Sequence, residues 1–244
     1  MRNISETIKA LIIINVIFFI GSSFLGDTAY KLFALFFYES PNFKFWQPLS
    51  HMFMHGGLMH IAFNMYALWA FGSPLEQIWG RNKFLFFYFS AGLGAALIHT
   101  LANYYQVHSA SEVLLNAGMS QVDITNLLTT GQYDSGILSS VSMDVVQSAY
   151  DSFNTPAVGA SGAIYGILVA FGMMFPNTEL MLMFFPVPIK AKYFIPLLLI
   201  GDLVFGISGT ATGVAHFAHL GGALFGFLMA YYWKKNSFDS HRWN

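Results

Sequence analysis

The sequence predicts an all-α membrane protein of six transmembrane helices, with an interfacial loop after the first and a long external insert between the third and fourth. Three observations predict it. Of 244 residues, 55% are hydrophobic and 9% charged, whereas soluble domains carry about 25% charged residues. So few charges cannot cover a water-facing surface. The apolar residues also gather into six runs, each close to the length of a span, about 20 residues. Finally, the basic residues fall on alternate connections between those runs, as the positive-inside rule requires. Helices follow rather than a barrel, because lipid cannot satisfy backbone polar groups and the alternation of a lipid-facing strand is absent.

Taken in order, the expected spans are 8–26, 58–77, 84–104, 156–175, 193–209 and 214–233. The first run, Ile8 to Leu25, is long for a signal-peptide core and no small-residue cleavage site follows it, so it reads as a retained span. Residues 27–57 carry Phe36, Phe37, Phe45 and Trp46. This stretch is too interrupted for a span and too apolar for a solvated loop, and is expected in the outer interface, where aromatic rings settle. Residues 105–155 hold Glu112, Asp123, Asp134, Asp144 and Asp151 with no Lys or Arg, and form the external insert. Within it, residues 112–130 suit a short helix. Residues 1–244 read as one domain, with 234–244 a short cytoplasmic tail.

Arg2, Lys9, Arg81, Lys83, Lys190, Lys192, Lys234, Lys235 and Arg242 share one side of this six-span arrangement. Only Lys31 and Lys44 fall on the other. Both termini are therefore expected in the cytoplasm, with the chain a multi-pass protein of a bacterial inner (plasma) membrane. There is no cysteine, which excludes disulfides, thiolate metal ligands and thiol nucleophiles. A net charge of −1 offers no basic surface to nucleic acid.

Spans 2, 4 and 6 run in the same direction, so their N-terminal portions share one depth. His60 and Asn64 lie there on span 2, Ser161 and Tyr165 on span 4, His216 and His219 on span 6. Each group is expected about 5 residues into its helix, or about 8 Å. Polar residues at membrane depth are costly and mark function. His219, Gly222 and Gly226 stand at i, i+3 and i+7 on one helix face. Gly159, Gly162 and Gly166 give span 4 a matching small-residue surface beside Ser161. Two helices in such close contact bring a histidine within reach of a serine, the arrangement an activated serine nucleophile needs. His60 and Asn64, at i and i+4, present donors suited to a developing oxyanion.

These motifs resemble those of the rhomboid family of intramembrane serine proteases. Gly159, Ser161, Gly162, Tyr165 and Gly166 match its G-x-S-G-x-x-Y-G pattern. Ala218, His219, Gly222 and Gly226 match A-H-x-x-G-x-x-x-G, and His60 with Asn64 matches H-x-x-x-N. The likeness extends to Glu76 and the Gly80-Arg81 turn, and covers residues 40–104 and 156–233. The 105–155 insert departs from the compact members, where this loop is short. The resemblance implies a Ser161–His219 dyad without a carboxylate, Tyr165 packed on the histidine, and an oxyanion hole of His60, Asn64 and the Ser161 N–H. It implies transmembrane protein substrates, cut near their outer ends in the lipid bilayer, and no cofactor. Span 5 and the 27–57 segment would flank the substrate's approach.

Other residues read more plainly. His216 is expected to make a structural hydrogen bond rather than to tune the site. Asp202 is expected to face the bundle and bond a neighbour rather than to act in catalysis. His51 and His55 stand at i, i+4, but nothing supplies a third ligand, so no metal is expected. Glu76 and Arg81 suit a cap or ion pair at the turn into span 3. A client-binding pseudoenzyme would lack the serine or the histidine, and a transporter would carry polar residues through the whole membrane thickness and internal repeats.

Overall fold

A computed structural model describes residues 4–182, 185–208 and 213–236. Arg2 and Arg242, which contribute to the expected orientation, and the tail beyond residue 236 lie outside them. Helix α1, Glu6–Leu25, starts where Ser5 Oγ accepts the Ile8 N–H at 3.4 Å, and ends at Gly26 with φ 53°. Such a cap satisfies one of the donors that every helix start leaves open. Expected span 2 is one rod in three pieces. Helix α4, Leu58–Ala67, widens into a π turn over Leu68–Gly72 and resumes as α5, Ser73–Trp79. The wider turn sits just before Pro74, which has no N–H to give to a regular ladder.

Gly80, at φ 76°, reverses the chain into α6, Arg81–Asn116. At 36 residues this helix runs well past the expected 84–104 and into the expected insert. It forms the central post of the bundle. Ala91, Gly94 and Ala95 give it a buried small-residue face on which two later helices pack. Those helices are α9, Ser161–Met174, and α11, His216–Asn236. Helix α10, Ala191–Ser208, packs at the periphery and buries only Ala191, Ile195 and Asp202. A short antiparallel hairpin precedes it, β1, Glu179–Leu182, and β2, Phe185–Lys190, with Glu179 opposite Lys190. This hairpin is not among the elements the sequence predicts.

Two other segments carry structure beyond what the sequence predicts. The 27–57 stretch is folded into short helices. It contains α2, Asp27–Phe33, and α3, Gln47–Ser50, followed by a 3-10 turn at His51–Phe53. Phe36 and Phe37 are buried inside the protein, while Phe45 (84% exposed) and Trp46 face outwards with their rings edge to face. The 105–155 region is likewise folded. The end of α6, α7 (Gln121–Thr130) and α8 (Met143–Asn154) enclose a second core of Val107, Leu114, Ile124, Leu127, Val146 and Phe153. Phe37 packs into the same core and ties this cap to the 27–57 segment. The expected helix at 112–130 is broken at residues 117–120, where Gly118 takes φ 98°.

Among the described residues, three helices are long and apolar enough to cross a membrane: α1, α6 and α10. Helix α9 is as apolar but has 14 residues. At the end of the bundle opposite the cap, Ser5 Oγ donates to Glu76 and ties α1 to α5. Glu76 thus serves as a structural tie, but its partner is Ser5 and not Arg81.

Candidate active site

Helices α4, α9 and α11 all begin at the cap end of the bundle, so their polar N-terminal residues gather there. They sit nearer the helix starts than expected. Ser161 is the first residue of α9 rather than about five residues in. The reason lies in the preceding backbone. Pro156 lacks a donor, Ala157 is bridged to Leu35, and the Gly159 N–H donates to the His51 carbonyl at 3.0 Å. Gly159 holds φ 126°, and a Cβ on it would stand 2.9 Å from His60 Nε2 and 3.4 Å from Ser161 Oγ. Only glycine takes that conformation easily and leaves room for both groups.

Ser161 Oγ and His219 Nε2 are hydrogen-bonded at 2.9 Å. Backbone contact makes this possible. A Cβ on Gly222 would lie 1.8 Å from the Gly162 carbonyl oxygen, and one on Gly226 would lie 2.4 Å from the Gly166 Cα. Gly162 and Gly166 in turn face Ala95 and Ala91 of α6. Helices α9 and α11 therefore touch main chain to main chain, which places a short serine side chain against a histidine 58 residues away. The Tyr165 ring lies flat on His219, with centroids 4.1 Å and planes 15° apart.

His60 and Asn64 stand on the same end of α4. The Gly56 N–H points at His60 Nδ1 at 3.4 Å, which makes that nitrogen the acceptor and leaves Nε2 to carry the proton. That Nε2 lies beside Gly159, next to Ser161. Asn64 is buried, and its Nδ2 has no hydrogen-bond partner among the described residues. Buried amide donors are normally satisfied, so this orphan marks a place for an acceptor.

A carboxylate, which the expected dyad lacks, stands beside His219. Asp202 of α10 is buried, and its Oδ1 accepts from His219 Nδ1 at 3.1 Å and from His216 Nδ1 at 2.6 Å. It bonds a neighbour, as expected, but that neighbour is the histidine on Ser161. His216 likewise makes a hydrogen bond, to the same carboxylate. These three residues also form the one cluster among the described residues whose possible metal-ligand atoms lie within 4.8 Å of one another. His51 and His55 are no part of it. His51 Nδ1 donates to the Gln47 carbonyl at 3.0 Å, and the His55 ring packs edge to face on His60 at 5.1 Å.

An apolar cavity of about 690 Å³ lies between α4, α9, the hairpin and α10, lined by Phe63, Tyr66, Phe71, Phe171 and Phe194 among others. It is separate from the Ser161–His219 contact.

A family model described as a Rhomboid domain matches residues 42–130 and 124–236. Rhomboid protein 1, mitochondrial, of Saccharomyces cerevisiae is 25% identical over 186 residues, covering 75% of this chain and 40% of that protein. Rhomboid protease AarA of Providencia stuartii is 28% identical over 195 residues, covering 76% and 54% respectively. The human presenilin-associated rhomboid-like protein, mitochondrial, is 29% identical over 175 residues, covering 71% and 34%. The chain thus spans roughly half or less of the length of these relatives. Several are mitochondrial by name, so the bacterial inner membrane expected from the sequence finds no support, and a membrane location in general is what stands. With the matched regions enclosing every residue of the serine–histidine constellation, the chain belongs to the rhomboid family.

Proposed function

We propose that the protein is an intramembrane serine endopeptidase that cleaves transmembrane segments of other proteins near the outer face of the bilayer. The observation that carries this reading is the 2.9 Å hydrogen bond between Ser161 Oγ and His219 Nε2. In the proposed reaction His219 Nε2 takes the Ser161 proton as Oγ attacks the scissile carbonyl carbon. The resulting oxyanion is held by His60 Nε2–H, Asn64 Nδ2–H and the Ser161 N–H. The last is one of the free donors at the start of α9, where the helix dipole also favours negative charge. The C–N bond then breaks and His219 passes the proton to the departing amine. Water attacks the acyl-serine ester, giving its proton to His219, which returns it to Ser161.

In this reading the chain is one domain of six spans, the Lys and Arg side is cytoplasmic, and the cap lies outside. The three shorter or more polar rods, α4–α5, α9 and α11, complete the spans formed by α1, α6 and α10. The apolar cavity beside α4 and α10 suits a hydrophobic transmembrane segment or a lipid chain on its approach. Neither metal nor cofactor takes part.

Labelling with a fluorophosphonate probe, followed by mapping of the adduct by mass spectrometry, tests the assignment. Modification of Ser161, lost in Ser161→Ala and His219→Ala together with cleavage of a transmembrane substrate, is the expected result. Cleavage that survives in purified Ser161→Ala protein would sink it.

A further inference from the structure

We propose that Asp202 is a positioning residue that makes the dyad a three-member relay, Ser161–His219–Asp202, with His216 as the second anchor of the carboxylate. The inference rests on the protease reading for its kinetics, though not for its geometry.

The hydrogen bonds set the protonation pattern. A neutral imidazole carries one N–H. If His219 Nδ1–H donates to Asp202 Oδ1 at 3.1 Å, Nε2 must be the acceptor, and that is the nitrogen facing Ser161 Oγ. Without the carboxylate either tautomer is open to His219, and the one with Nε2–H cannot take the serine proton. The carboxylate therefore selects the competent ring state before any substrate arrives. Once Ser161 has given up its proton, His219 is an imidazolium, and the ionised Asp202 balances it. No proton needs to move to Asp202.

The fold shows that this carboxylate is held for its partners. Helix α10 is otherwise a peripheral helix with a mostly exposed surface, and Asp202 sits on its one narrow buried face with Ala191 and Ile195. An ionisable group at membrane depth is costly unless paired. Here the donors of His216 and His219 converge on Oδ1, and the Tyr165 side chain also bears on the carboxylate. A carboxylate serving only to pin α10 to α11 would need His216 alone. His216 in turn stacks on Phe205 of α10, with centroids 5.6 Å and planes 24° apart, so the anchor is itself fixed by packing.

The test combines a spectroscopic and a kinetic measurement on the full chain in micelles. In ¹⁵N-histidine NMR, wild-type His219 is expected as the Nδ1–H tautomer, and Asp202→Asn is expected to populate Nε2–H. With a transmembrane substrate, Asp202→Asn should lower kcat by about 10²- to 10⁴-fold with KM within about 3-fold. Asp202→Glu should recover part of the loss, and His216→Phe should lose less than Asp202→Asn. An Asp202→Asn protein with wild-type kcat and an unchanged tautomer overturns the inference. If that variant does not fold, the wild-type spectrum decides alone, because a resting His219 in the Nε2–H form overturns it equally. A wild type that neither cleaves nor labels at Ser161, yet shows an Asp202-dependent tautomer, sinks the protease reading and leaves the positioning intact.

Discussion

The ring of Tyr165 covers the ring of His219 at a centroid separation of 4.1 Å, one helical turn beyond the serine that the same histidine contacts. Residues 161 and 165 are i and i+4 on α9, so the serine and the tyrosine face the histidine from one side. One helix thus supplies both the proposed nucleophile and the ring that covers its proposed base.

Stacking rather than the phenol should matter at Tyr165. An aromatic pair contributes about 0.5–1.5 kcal/mol beyond its buried area, which corresponds to at most about tenfold in rate. Tyr165→Phe should therefore stay within about 3-fold of wild-type kcat, and Tyr165→Leu should fall by about tenfold with little change in KM. Steady-state cleavage of one substrate by the three proteins decides this. A Phe variant as impaired as the Leu variant would shift the role to the hydroxyl.

Gly222 is the tightest point of the helix pair. An alanine methyl there would need to sit 1.8 Å from the Gly162 carbonyl oxygen, which is main chain and cannot turn aside. Gly222→Ala should cost at least about 1–3 kcal/mol and separate Ser161 from His219. Gly201→Ala is the control, since no atom lies within 4 Å of where its methyl would stand and alanine is the better helix former. Thermal unfolding in detergent, together with probe labelling of Ser161, should show the first variant impaired and the second intact.

Asn64 should separate activity from stability. Its side-chain NH₂ is buried without a partner among the described residues, a state that burdens the resting protein. Asn64→Ala should therefore leave the melting temperature unchanged or raised, while kcat falls by about 10²-fold or less, since the oxyanion donors are shared. An unchanged kcat would remove Asn64 from the site. A lowered melting temperature would mean that its NH₂ serves the fold.

Stability should fall on mild acidification. His51 and His55 lie between the first two expected spans, and burial holds both rings near pKa 4, down from 6.5. For His55 the neighbouring His60 adds to that lowering. The unfolded chain then binds more protons than the folded one between about pH 6.5 and pH 4, so stability is full above that window and lost as pH falls through it. Each ring contributes up to about 3 kcal/mol. Melting temperatures measured from about pH 7 to about pH 4 should decline, and His51→Gln should flatten the decline. A pH-independent wild type would contradict neutral burial of these rings.

The helical class, most helix positions and the gathering of His60, Ser161, Tyr165 and His219 are legible in the sequence because each rests on local signals. Apolar runs and glycine spacing survive without knowledge of the partner. The π turn before Pro74 and the late start of α9 are less legible, since backbone contacts with Leu35 and His51 decide where α9 begins. The cap escapes for a different reason. Its mean composition is polar, although Val146, Ala149 and Phe153 at i, i+3 and i+7 mark an apolar stripe on α8.

Asp202 shows most clearly where sequence reading stops. Shared depth is evident among the expected parallel spans 2, 4 and 6, yet an expected span running the other way brings its C-terminal portion to the same level, and Asp202 lies there, six residues before the end of α10. The sequence by itself determined the membrane class, the helix faces and the chemical kinds of residue present, because hydrophobicity and helical spacing are properties of the chain. Only the tertiary structure decided that Ser161, His219 and Asp202 meet in a line. That meeting depends on how closely α9 and α11 approach at their glycines and on which face α10 turns inward, and both are set by packing between segments distant in sequence.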